Sequence, residues 1–237
     1  MWAGLRSAIP PSLRTKEDEV KHLDTLGFYY NKMFFDVTLA KSREYYKFLI
    51  QLKATLPKSA SKLQDKCDID SISLPNIYLL SRTVCLESYL RDFQFKLLNY
   101  ITCTNILFKK MGKVDSDLCS LCNTESEYIE HLFYHCPFSL LFWRDFEVFW
   151  SINTNEAINL PVQDIIVGIF NEDCEFLNYC ILVGKSTTFQ CRRNNIKPSI
   201  QLFKVYLNPK NFMELVIAQK NNGLDTIKKK WKFKPLT

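Results

Sequence analysis

The chain has 237 residues, 47% of them hydrophobic and 14% aromatic, which is enough to bury a core and too apolar for a disordered chain. Its net charge of +6 is uneven: from Arg192 onward there are eleven Lys or Arg against two acids, Glu214 and Asp225, so that stretch carries +9 and the rest −3. No run of 18 apolar residues marks a membrane span, and the first residues lack a signal-peptide core, so the nine cysteines are expected in a reducing, intracellular setting (cytoplasm or nucleus) and not in a disulfide framework.

In chain order, residues 1–40 hold an apolar-basic opening and an aromatic stretch from Phe28 to Phe35. Ser42 is placed to cap a helix over 43–53, which Pro57 stops. A short helix and a loop are expected over 58–75. The strongest helix is expected over 84–102, where Leu86, Leu90, Phe93, Leu97 and Ile101 recur at spacings of three and four. A second helical piece, 105–111, is ended by Gly112.

Next comes Cys119-Ser-Leu-Cys122, followed by His131 and Cys136 in the pattern Cys-x2-Cys-x8-His-x4-Cys. Two thiolates two residues apart grip one metal ion from a tight turn, and a second pair completes a tetrahedron, as in structural zinc sites. His135 competes for the fourth position, one helical turn from His131. Cys136 is favoured, because thiolate is the stronger zinc ligand and Pro137 ends the turn behind it. Four protein ligands leave no open coordination position, so one structural Zn2+ is expected.

The metal segment is acidic, with Asp115, Asp117, Glu125, Glu127 and Glu130 and no Lys or Arg between Lys113 and Arg144. That argues against the segment itself touching phosphate. A helix dense in Phe and Trp is expected to Trp150, then a polar linker over 151–160 and an apolar piece of ambiguous type over 162–170. Helices are expected over 173–194, with Phe176, Leu177, Cys180, Ile181, Gly184 and Thr188 near one face, and over 200–221, the latter interrupted near Pro209. The fold class expected is mainly α: a helical domain with an inserted CCHC zinc knuckle and a basic helical C-terminal tail. The expected division is a leader over 1–83, a helix-plus-zinc domain over 84–150 and a basic helical region over 151–237.

The flanks of the metal segment carry a resemblance. They are Leu90-Arg-Asp-Phe-Gln-Phe-Lys-Leu-Leu-Asn-Tyr-Ile101, Thr104-Asn105, Leu118-Cys-Ser-Leu-Cys122, Ile129-Glu-His-Leu-Phe-Tyr-His-Cys-Pro137 and Phe142-Trp143. In this order they resemble the zinc-binding region that follows the reverse transcriptase in LINE-type (non-LTR) retrotransposon polyproteins. The likeness is specific over 84–145 and weaker toward both ends. It implies the C-terminal part of such a polyprotein, with Cys119, Cys122, His131 and Cys136 as ligands. It also implies binding of the element's RNA or target DNA as an accessory to reverse transcription, and a reverse transcriptase core as a further partner.

The polymerase of that family needs an aromatic-x-Asp-Asp turn to hold its metal ions. No Asp-Asp pair occurs in this chain, and no endonuclease-like or acid–base constellation is assembled, so no enzyme and no small-molecule substrate is expected. The nucleic-acid contacts are expected from Arg192, Arg193, Lys228, Lys229, Lys230, Trp231 and Lys232, lysines on phosphates and the indole on an unpaired base of RNA or single-stranded DNA. The competing expectation is an interaction remnant without nucleic-acid binding, presenting an aromatic surface over 142–150.

Overall fold

The computed structural model describes residues 27–30, 33–36, 58–67, 74–171 and 173–220, with single positions at 43, 46, 47, 50 and 55. The chain divides into two compact units, Met1–Leu56 and Pro57–Thr237. In the first unit, β1 (Gly27–Tyr30) pairs antiparallel with β2 (Met33–Asp36), Gly27 opposite Asp36 and Tyr30 opposite Met33. The aromatic stretch is thus a ribbon, in keeping with the fit of aromatic residues to a pleated surface. Most of the helix expected over 43–53 lies outside the described residues, although Arg43, Tyr46, Lys47 and Ile50 are helical.

Among the described residues the elements of the second unit are helices: α1 (Lys58–Cys67), α2 (Leu74–Val84), α3 (Ser88–Leu98), α4 (Asn105–Lys110), a π-helical turn (His131–His135), α5 (Pro137–Thr154), α6 (Val162–Val167), α7 (Glu175–Arg193) and α8 (Ile200–Lys220). One apolar core runs through it from Ala60 to Leu207. Within it α2 and α3 both pack on α7.

The helix expected over 84–102 is shorter: within that span it is α3, Ser88–Leu98. Residues 85–87 are non-helical between α2 and α3, with Glu87 extended, and the Arg91 guanidinium bonds the Cys85 and Arg82 carbonyls at the end of α2. α3 ends four residues early because Tyr100 turns left-handed, with Tyr100 N–H donating to Leu97 O and Ile101 N–H to Lys96 O. Leu90, Phe93 and Leu97 are buried as the stripe requires, while Ile101, past the turn, is exposed. α4 stops as expected: Gly112 is left-handed at φ 65° and Lys113 N–H closes on Phe108 O.

α7 is the axis of the unit. Every residue from Phe176 to Thr188 is buried, so the one-sided stripe expected there is in fact a fully enclosed helix. Its polar side chains are satisfied internally: Asn178 bonds both N–H and C=O of Ile169, and Lys185 donates to Gln94 Oε1 and Ile166 O. Gly184 lets α5 approach, since a Cβ there would stand 2.9 Å from Trp143 Cη2. On α5 the rings of Phe142, Trp143, Phe146 and Trp150 all point into the core around Phe203. The aromatic surface expected over 142–150 is therefore interior. α8 runs unbroken through Pro209; the carbonyl four residues back belongs to Val205, which is 65% exposed, where water can take the place of the missing N–H.

Candidate metal centre

The loop after α4 folds back on itself. Leu118 pairs with Ser126, Cys119 N–H donates to Glu125 O at 2.7 Å, and Asn123, left-handed at φ 55°, donates its N–H to Cys119 O. This turn presents Cys119 and Cys122 together. Leu121 N–H points at Cys119 Sγ (3.4 Å) and Thr124 Oγ1–H at Cys122 Sγ (3.1 Å), donors of the kind that support thiolate.

The second pair depends on the π-helical turn. Residues five apart diverge on an α-helix of 3.6 residues per turn. Here Cys136 N–H bonds His131 O across five residues, at 2.7 Å, and the widened turn turns both side chains to one side. Pro137 then starts α5 at a position that needs no N–H. His135 is exposed and lies against Tyr128 and Tyr134.

The result is a cluster in which the ligand atoms of Cys119, Cys122, His131 and Cys136 all lie within 4.8 Å of one another. Cys119 Sγ is 4.0 Å from Cys136 Sγ, and Cys122 Sγ 3.3 Å from His131 Nε2. A tetrahedron with metal–sulfur arms of about 2.3 Å has edges of about 3.8 Å, so the donors already stand at coordination distances. Three of the four are fully buried. The four groups contend for protons: the Cys119 thiol donates to Cys136, a bond that together with burial holds Cys119 up and that, against burial, holds Cys136 down. Burial raises Cys122, but the hydroxyl and backbone N–H of Thr124 outweigh it and leave the thiol below its ordinary value. A cation bound at the centre would replace those protons.

Two of the three acids between the ligands, Glu127 and Glu130, are buried, which the sequence did not reveal. Glu127 is fully buried and accepts from Asn105 N–H and Ser120 N–H, both at 2.9 Å, and from Arg192 Nε and Nη2 at 3.0 and 2.7 Å. Glu130 accepts from Lys66 Nζ (3.1 Å) and Tyr100 Oη (2.8 Å). Asp117 takes Lys109 (2.7 Å) and Ser126 (2.8 Å), which hold its carboxyl down at about 2. Glu125 Oε2 stands 3.1 Å from His131 Nδ1. The metal loop is thereby tied to α1, α4 and α7.

Arg192 does not stand where the sequence placed it. Its side chain is 8% exposed, committed to Glu127 and to Asn105 Oδ1 (2.7 Å), and lies between the rings of Phe108 and Phe189. A guanidinium enclosed in this way is not on offer to phosphate. Arg193, the last residue of α7, is exposed. Lys228, Lys229, Lys230, Trp231 and Lys232 lie outside the described residues. Among the described residues no helix is long and apolar enough to cross a membrane. Comparison with known proteins finds no matching family model, no matching curated protein and no matching solved structure.

Proposed function

We propose that this chain is a zinc-organised, non-catalytic nucleic-acid-binding module of the kind that follows the reverse transcriptase in LINE-type retrotransposon polyproteins, acting in the cytoplasm or nucleus. The observation that carries the proposal is the Cys3His cluster, set within the flanking motifs that the resemblance rests on. Three thiols and an imidazole are a donor set that favours zinc over hard cations such as magnesium or calcium. Bound there, zinc supplies folding energy, on the order of 10 kcal/mol or more in small metal domains.

Binding falls to the basic C-terminal stretch. Arg193 and the lysines from Lys228 to Lys234 engage phosphates, and Trp231 stacks on an unpaired base of RNA or single-stranded DNA. The pairing of Asp117, Glu127 and Glu130 with Lys109, Arg192 and Lys66 supports this reading, because it removes much of the acidic field that counted against phosphate nearby. The second reading, an interaction module without nucleic acid, is favoured by Leu141, Val148 and Ile152, which are 57, 60 and 73% exposed along the outer face of α5 and would dock on a reverse transcriptase core. Metal analysis together with RNA and DNA titrations over salt decides between them. The first reading requires one zinc per chain and affinity that falls steeply with salt; zinc with no affinity for either nucleic acid favours the second.

A further inference from the structure

We infer that Glu125 is the carboxylate that orients His131 for the metal, by accepting the second ring N–H of the imidazole. It rests on the metal-binding reading of the cluster, and concerns a residue outside the four ligands. The His131 ring is fully buried, with Nε2 turned to Cys122 Sγ at 3.3 Å, so Nε2 is the ligand atom and the neutral ring carries its proton on Nδ1. That nitrogen is itself buried and makes no aligned hydrogen bond. The nearest acid to it is Glu125, whose Oε2 lies 3.1 Å away but off the line of the N–H. The side chain is 64% exposed and free to rotate, while its backbone is anchored by Cys119 N–H on Glu125 O at 2.7 Å. A small turn of the carboxylate closes the bond.

The other acids between the ligands are engaged. Glu127 is bound by Arg192 and two backbone N–H groups, and Glu130 by Lys66 and Tyr100. Glu125 is the one of the three aimed at the ring. A metal-bound histidine nearly always gives its other N–H to such an acceptor, which fixes the tautomer and raises the basicity of the ligand nitrogen. Glu125 is thus a positioning residue, acting through His131.

The test uses the full chain loaded with zinc. Affinity is measured by competition with a chromophoric chelator for wild type, Glu125→Ala, Glu125→Gln and Asp115→Asn, and the His131 ring N–H is followed by nitrogen-edited NMR. Asp115, an exposed acid before the first ligand, controls for the loss of one negative charge. Glu125→Ala is expected to weaken zinc about 10–100-fold and to speed exchange of the ring proton. Glu125→Gln, which keeps an acceptor oxygen without the charge, should recover part of both, and Asp115→Asn should change neither. Affinity in Glu125→Ala within about twofold of wild type, well short of the usual effect of such an acceptor, or an equal loss in Asp115→Asn, overturns the assignment while leaving the metal centre in place. A wild-type chain that takes up no zinc overturns the metal reading, and Glu125 falls with it.

Discussion

Replacing Arg192 by Met tests whether the metal loop is held to the helical core by a buried charge pair. The guanidinium is 8% exposed and its partner Glu127 fully buried. Methionine keeps much of the stem packing against Phe108 and Phe189 but leaves the Glu127 carboxylate with two backbone N–H donors and no cation. Breaking a buried pair from one side costs about 3–5 kcal/mol, because the remaining charge stays desolvated. For a chain of this size that lowers the melting temperature by roughly 6–20 °C. Glu127→Gln in the same chain removes the stranded charge, so the double variant should lose less than the sum of the two singles, with a coupling of at least about 1 kcal/mol. Urea unfolding of the metal-loaded protein measures all three. A loss under about 1 kcal/mol for Arg192→Met, the range of an exposed pair, would refute the reasoning.

Cys119→Ser or Cys122→Ser should abolish retention of the metal, whereas His135→Ala should keep it, as metal content per purified chain will show; retention lost only in His135→Ala would move the fourth ligand. Deleting 228–237 should flatten the log–log salt slope of nucleic-acid binding by roughly three to five units and leave metal and helical content intact; Arg193→Ala should take off about one unit. Gly184→Ala should destabilise by about 1–3 kcal/mol in thermal unfolding, because the added carbon meets Trp143 at 2.9 Å and overpacking outweighs the gain in helix propensity. Burial lowers the Lys185 amine to about 7, with no carboxylate in the cavity around it, so between pH 7 and 10 the unfolded chain binds a proton that the folded one does not. Stability should therefore rise with pH across that window by up to about 1.4 kcal/mol per unit, measured as the difference between wild type and Lys185→Met.

What was legible in the sequence follows the range of the interactions. α4 with its glycine stop, the stretch of rings that became α5, and the stripe of Leu90, Phe93 and Leu97 are written in residues three to seven apart, and periodicity finds them. α2 was missed although Pro75 marks its first turn, because Leu74-Pro75 also reads as the close of a loop. The break at 85–87 left no local mark: it is held by Arg91 from one side and by Glu214, whose Oε1 accepts from Leu86 N–H, 128 residues away in the chain. The helix through Pro209 defeated the usual rule because the carbonyl it strands faces solvent. α7 was assigned one buried face because its Asn, Lys and Thr residues look polar in sequence; their partners, Ile169, Gln94, Ile166 and their own helix carbonyls, become visible only in the fold.

The metal cluster was legible because ligand spacing is a local property, and the choice between Cys136 and His135 turned on a single fact of backbone geometry. In a regular helix His131 and His135 share a face and Cys136 does not; the five-residue hydrogen bond from Cys136 N–H to His131 O reverses that preference. Charge was the poorer guide. Counting Glu125, Glu127 and Glu130 against Lys and Arg nearby in sequence made the segment an acidic surface, and counting Arg192 with the tail made it a phosphate contact. Both counts treat a charge as if it faced water. Arg192 and Glu127 are 65 residues apart and end in one another's hydrogen-bonding range, so each cancels the inference drawn from the other. The surface that remains around the metal loop is nearer neutral than its composition. On the proposed reading the salt dependence of binding is expected from Arg193 and the lysines from Lys228 to Lys234, so the deletion of 228–237 and the Arg192→Met variant separate: the first should move the salt slope and spare the fold, and the second should do the reverse.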